Sequence, residues 1–217
     1  MNITKYLQQW SASYKADLVD NIMPFWMEHG MDYKHGGVYT CLDRDGSLID
    51  TTKSVWFQGR FGFIAAFAYN NIEKNPEWLA ASKSCIDFIE SYCFDEDGRM
   101  YFEVTEDGKP LRKRRYVFSE CFAVIAMAEY ALASGDNSYV HKALELFKKI
   151  QYFITTPGIL EPKYCETVHA RGHSITMILI NTASCVRKVI NDPVLNRQID
   201  ESLETLKRYF IHPEFKA

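Results

Sequence analysis

Residues 53–70, Lys-Ser-Val-Trp-Phe-Gln-Gly-Arg-Phe-Gly-Phe-Ile-Ala-Ala-Phe-Ala-Tyr-Asn, constrain this chain more than any other stretch. They suffice for about five helical turns, and after Arg60 nearly every side chain is apolar or aromatic. A helix that is apolar all round has no water-facing side and belongs inside a larger assembly. Its leading turns nevertheless carry Lys53, Gln58 and Arg60 among Trp56, Phe57 and Phe61. A guanidinium, an amide and ring faces at one end of a buried helix describe a wall of a polar-ligand pocket. The competing reading is a core helix whose arginine is ion-paired inside.

The same design recurs along the chain. Residues 116–134 and 171–190 predict two further apolar helices, and residues 77–92, 138–153 and 193–209 predict amphipathic ones between and after them. Asn75-Pro76, Gly135-Asp136 and Asp192-Pro193 mark the breaks. Asp45-Gly46 and Glu106-Asp107-Gly108 predict tight turns of short β-hairpins. An opening helix over residues 3–27 carries Leu7, Trp10, Tyr14, Leu18, Ile22, Phe25 and Trp26 at helical spacing. The repeating unit, roughly 60 residues long, is hairpin or loop, apolar helix, turn, amphipathic helix. Such units bury their faces by stacking on neighbours. Apolar and amphipathic helices in alternation predict two concentric layers in an all-α, α/α-toroid fold, with hairpins and polar helix ends at one mouth. The whole of residues 1–217 is expected to form one such domain.

Composition narrows the partners. A net charge of -3 makes no electrostatic case for nucleic acid or an anionic membrane, and no apolar run approaches a membrane span. The basic cluster Arg112-Lys113-Arg114-Arg115 reads as a solvated loop edge or as a docking point for an anionic sugar or a phosphate. Six cysteines without a Cys-x-x-Cys pair fit reduced thiols in a cytoplasmic protein. His169 and His173 are four apart with no third ligand near, so no metal site is expected.

The pattern Lys53-x-x-Trp56-x-Gln58-x-Arg60, with 116–122 (Tyr-Val-Phe-Ser-Glu-Cys-Phe) and 171–179 (Arg-Gly-His-Ser-Ile-Thr-Met-Ile-Leu), resembles the N-acylglucosamine 2-epimerase family over nearly the whole chain. The resemblance implies an (α/α)6-type toroid of roughly twelve helices, of which the chain looks like the N-terminal portion, about seven. It implies a reaction that inverts the carbon next to a sugar carbonyl, interconverting N-acetylglucosamine and N-acetylmannosamine or their analogues. Such chemistry needs two acid/base groups on opposite faces and a cation for the enediolate oxygen, with no cofactor in principle. Arg60 matches the family arginine and is the catalytic candidate. Gln58 suits sugar hydroxyls, and Trp56 and Phe118 suit stacking on a sugar face. Glu120 suits orienting Arg60 or the sugar, with a buried ion pair as the alternative. Met177 stands where the family lines its pocket on the third inner helix, and His173, one turn before it, either reaches the mouth or is a structural histidine at the helix start. The family's two acid/base histidines come from its second half, one within His-x-x-Glu, and no His-x-x-Glu occurs here. The expected function is therefore a sugar epimerase or isomerase wall that is incomplete as this chain. A non-catalytic carbohydrate-binding module or remnant is the alternative, and a glycoside hydrolase, which needs paired carboxylates, has only Glu120. An open inner face is expected to favour a homodimer.

Overall fold

The computed structural model describes residues 3–165, 167–212 and 214. Its first rod is α1 (Ile3–Asp17), a π-helical turn (Leu18–Ile22), the short α2 (Met23–Phe25) and a second π turn (Trp26–Gly30). The first π turn closes with the Met23 N–H reaching the Leu18 carbonyl five residues back. Pro24 follows directly, with no N–H to donate into that turn, and so marks the change of pitch. Then come β1 (Cys41–Leu42), β2 (Leu48–Asp50), β3 (Lys53–Ser54), α3 (Val55–Asn71), α4 (Pro76–Tyr92), β4 (Tyr101–Val104), β5 (Pro110–Lys113), α5 (Phe118–Ser134), α6 (Asn137–Thr155), α7 (Ser174–Arg187) and α8 (Pro193–Tyr209). With residues 3–30 counted as one rod, the described residues hold seven helices, as expected.

The outer helices share a start signal. The side chains of Asn75, Asp136 and Asp192 each accept from the backbone N–H two residues on, all at 2.9 Å, capping α4, α6 and α8. Pro76 and Pro193 occupy the first turn, where a missing N–H costs nothing. Expected Pro213, beyond α8, lies outside the described residues.

The layers follow the hydrophobic pattern. α3 packs on α4 and α5, α5 on α6 and α7, and α7 on α8. Every residue of α5 from Ser119 to Glu129 is buried, so it is enclosed on all sides. Helix α3 is different: Arg60, Ile64, Phe67 and Asn71 stay exposed at helical spacing, forming an open stripe along one face. That stripe is the concave side of an incomplete ring.

Close approach of α3 to α5 depends on Gly59. A Cβ there would stand 2.6 Å from the backbone carbon of Phe122. Gly59→Ala should therefore cost about 1–3 kcal/mol through overpacking, read as a drop in the urea midpoint; an unchanged midpoint would contradict the packing described. Gly46 meets another demand, a φ of 86° at the β1–β2 turn.

On the first helix Ile3, Leu7, Trp10 and Tyr14 are exposed and nothing in α1 is buried. Burial begins only at Met23. The first inner helix starts at Val55 instead of Lys53, because Lys53 and Ser54 form a strand opposite Val104 and Glu103. This makes a three-stranded antiparallel sheet, β3-β4-β5, from what reads as a simple hairpin.

Candidate functional site

The mouth of the open ring is built from the first turns of α3 and α5 and from strand β4. Trp56 is the hub. Its ring centroid lies 5.0 Å from Phe102, 5.2 Å from Phe118 and 5.8 Å from Phe122, all edge-on. Arg60, one turn along α3, carries its guanidinium 4.2 Å over the Phe122 ring and 5.9 Å from that of Trp56. It makes no hydrogen bond or ion pair with any described residue, so its donors face outward while the ring holds its plane. Arg112 and Arg114 lie 4.8 and 4.4 Å over Phe102, and Arg112 reaches Glu103 at 3.4 Å. The result is a floor of aromatic rings under guanidinium groups, open to solvent.

Lys53 and Gln58, in the same motif, serve the frame. Lys53 is wholly buried, its ammonium 2.7 Å from Asp32, 2.8 Å from the Gly36 carbonyl and 2.9 Å from that of Glu106. The Phe88 ring lies 4.2 Å beneath it. Asp32 also accepts from the backbone N–H groups of Lys34 and His35. Burial alone would raise its carboxyl, but the Lys53 contact and these two N–H groups outweigh it and hold the pKa at about 2. Gln58 is also wholly buried: it accepts from the Val38 N–H at 2.9 Å and donates to the Val38 carbonyl at 2.6 Å. Its amide is thus occupied by backbone, which corrects the expectation that it meets a ligand.

Glu120 is corrected in the same way. It is buried at the first turn of α5, with Oε1 accepting from Arg99 Nε at 2.7 Å and from the Met100 N–H at 3.0 Å. Arg99 in turn donates to the carbonyls of Arg114 (3.3 Å) and Tyr116 (2.8 Å), fixing the chain that delivers Phe118 to the mouth. Glu120 therefore orients Arg99, not Arg60. Asp32 and Arg99 are the functional partners that sequence reasoning missed. Their signal was indirect: a buried lysine just before α3 and a buried glutamate in the first turn of α5 each require a counter-charge.

His173 and Met177 stand at the start of α7. His173 occupies the N-cap position without a side-chain capping bond, exposed, with its ring 5.1 Å from that of Phe210. Met177 is exposed one turn further on. Among the described residues no group of His, Cys, Asp or Glu is arranged to hold a metal, and no helix is long and apolar enough to cross a membrane.

A two-layer helical arc with short hairpins at one mouth places the chain in the α/α-toroid fold class. Within that class, the family model for N-acylglucosamine 2-epimerase (GlcNAc 2-epimerase) matches residues 37–213. The chain belongs to the N-acylglucosamine 2-epimerase family. It is 34% identical over 181 residues to the N-acylglucosamine 2-epimerase of Rattus norvegicus, covering 81% of this chain and 43% of the relative. It is 31% identical over 143 residues to a cellobiose 2-epimerase of Ruminococcus albus, covering 64% and 36%. Among solved structures, the cellobiose 2-epimerase of Spirochaeta thermophila superposes with a TM-score of 0.81 at 24% identity, over 98% of this chain and 57% of that one. That of Bacillus thermoamylovorans gives 0.84 at 19%, over 95% and 57%. The chain thus spans less than half the length of the curated relatives it matches.

Proposed function

We propose that this chain forms the sugar-binding wall of a 2-epimerase acting next to a sugar carbonyl. The observation that carries this reading is Arg60: a guanidinium exposed on the concave face, planar over Phe122 and beside Trp56, with no carboxylate partner among the described residues. Inversion at that carbon removes its proton and returns it from the other face, and negative charge builds on the carbonyl oxygen meanwhile. A fixed, un-neutralised cation stabilises that oxygen more in the transition state than in the ground state. Trp56 and Phe118 present rings to the apolar C–H face of a sugar. The two groups that move the proton belong, in this reading, to the part of the ring that the relatives possess and this chain does not span. The family relation supports N-acetylglucosamine and N-acetylmannosamine as the substrate pair, and the open α3 stripe supports self-association. Four buried, unpaired cysteines support a reducing, cytoplasmic setting.

Arg60→Ala removes a charge-assisted hydrogen bond to the sugar, worth about 1.5–3 kcal/mol, or roughly ten- to a hundredfold in affinity. Calorimetric titration of N-acetylmannosamine into wild type and variant measures it. Equal affinity in both would dismiss this site. The side chain is exposed, so the variant should keep the wild-type stability.

A further inference from the structure

Beside the mouth lies a cavity of about 370 Å³ between residues 160–164, residues 170–172 and the start of α7. Among the described residues its walls include Arg115, Lys163, Arg171, Tyr116 and Tyr164, with Glu161 as the one carboxylate. Among the described residues none of the three cations is ion-paired. Arg115 donates to the Pro162 carbonyl at 3.4 Å and lies 5.5 Å from the Tyr116 ring; Lys163 lies over Tyr164 and Arg171 over Tyr209. Rings therefore hold the positive groups in place without neutralising them.

The Arg115–Glu161 edge also borders a second recess, lined by Arg99, Lys113 and Arg114. There Arg99 is bound to Glu120, and Lys113 is shared by Asp95 and Asp97. Two of its cations are already matched. Among the described residues most of the cations of these two recesses without an ion pair line the first cavity, which joins the sugar mouth through rings: Tyr116 lies 5.8 Å from Phe118, and Phe118 lies 5.2 Å from Trp56.

We infer that this cavity takes the oxyanion of an acidic sugar, a phosphate monoester in particular, while the sugar ring rests at Trp56 and Arg60. The inference rests on the sugar-binding reading above and adds a substrate class to it. Guanidinium and ammonium donors suit a phosphate's several oxygens. The tyrosine walls and the size of the cavity suit a sugar-borne group better than a free ion.

The test is calorimetric titration at low salt of N-acetylmannosamine 6-phosphate, N-acetylmannosamine and inorganic phosphate into wild type and into Lys163→Gln/Arg171→Gln. Both substituted side chains are exposed, so the fold should be untouched, and an unchanged thermal midpoint checks this. The phosphorylated sugar should bind wild type about tenfold or more tightly than the neutral one. That advantage should vanish in the double variant and shrink as salt rises. Inorganic phosphate should bind more weakly than the phosphorylated sugar and leave neutral-sugar affinity unchanged. Equal affinity for the two sugars, or a preference that survives the double substitution, would overturn the inference while leaving the Arg60 site standing. Inorganic phosphate binding as tightly as the phosphorylated sugar would overturn it in favour of a free-anion site. Failure of both sugars to bind would remove this inference together with the proposed function.

Discussion

Lys53→Met should lower the unfolding free energy by about 3–5 kcal/mol, the usual result of breaking one half of a buried ion pair. A methionine fills the ammonium's channel well enough, so the loss is electrostatic. Asp32, almost wholly buried, would keep two backbone N–H donors and His35 but lose its only fully buried cation. The carbonyls of Gly36 and Glu106 would lose their common donor too, releasing the 31–38 loop from the β4–β5 turn. Domains of this size are stable by about 5–15 kcal/mol, so urea denaturation would show the change plainly. A shift under 1 kcal/mol would mean that the pair is not buried as described. Acid provides a second readout. The Asp32 pKa falls from its usual 3.8 to about 2 on folding, so its stabilising effect is full above pH 4 and is lost between about pH 4 and pH 2. That acid-dependent loss should be smaller in the variant, whose Asp32 has less to lose.

Arg99→Met should be as damaging, also about 3–5 kcal/mol, and should harm the mouth as well. Glu120 Oε1 would retain the Met100 N–H alone, while Oε2 already has no hydrogen-bond partner among the described residues. The buried carboxylate would then stand without its counter-charge. The carbonyls of Arg114 and Tyr116 would lose the donor that ties them to α5. Glu120→Gln keeps an oxygen for Arg99 and should cost clearly less. Urea midpoints of the two variants decide the matter: equal, small losses would show that Arg99 is not the keystone of this corner.

These two pairs also show where the sequence was legible. Helix number, helix order and the breaks at Asn75, Asp136 and Asp192 follow from local rules: apolar periodicity and side-chain caps act within a few residues. The aromatic neighbours of Arg60 were readable for the same reason, since Trp56 lies one turn away on α3. Partners across the chain were not. Asp32 stands 21 residues from Lys53, and Arg99 stands 21 from Glu120. Other acids, among them Asp43, Asp45 and Asp50, were as close in sequence to Lys53, and only the folded 31–38 loop selects one. Gln58 misled for a related reason: an amide beside Arg60 looks available until the Val38 backbone is seen to occupy it.

The central claim is that the Lys53–Arg60 motif divides its labour, with Lys53 and Gln58 holding the frame while Trp56 and Arg60 meet the sugar. The four indole N–H groups, those of Trp10, Trp26, Trp56 and Trp78, test it in one proton–nitrogen spectrum recorded as N-acetylmannosamine is added. Trp78 is a core reporter on α4, Trp26 packs against Phe57 and Phe61, and Trp10 lies on the exposed first helix. The account predicts a saturable shift of the Trp56 resonance alone, abolished in Arg60→Ala. A Trp56 resonance that stays fixed while sugar binds, or one that moves no more than those of Trp10, Trp26 and Trp78, would contradict it.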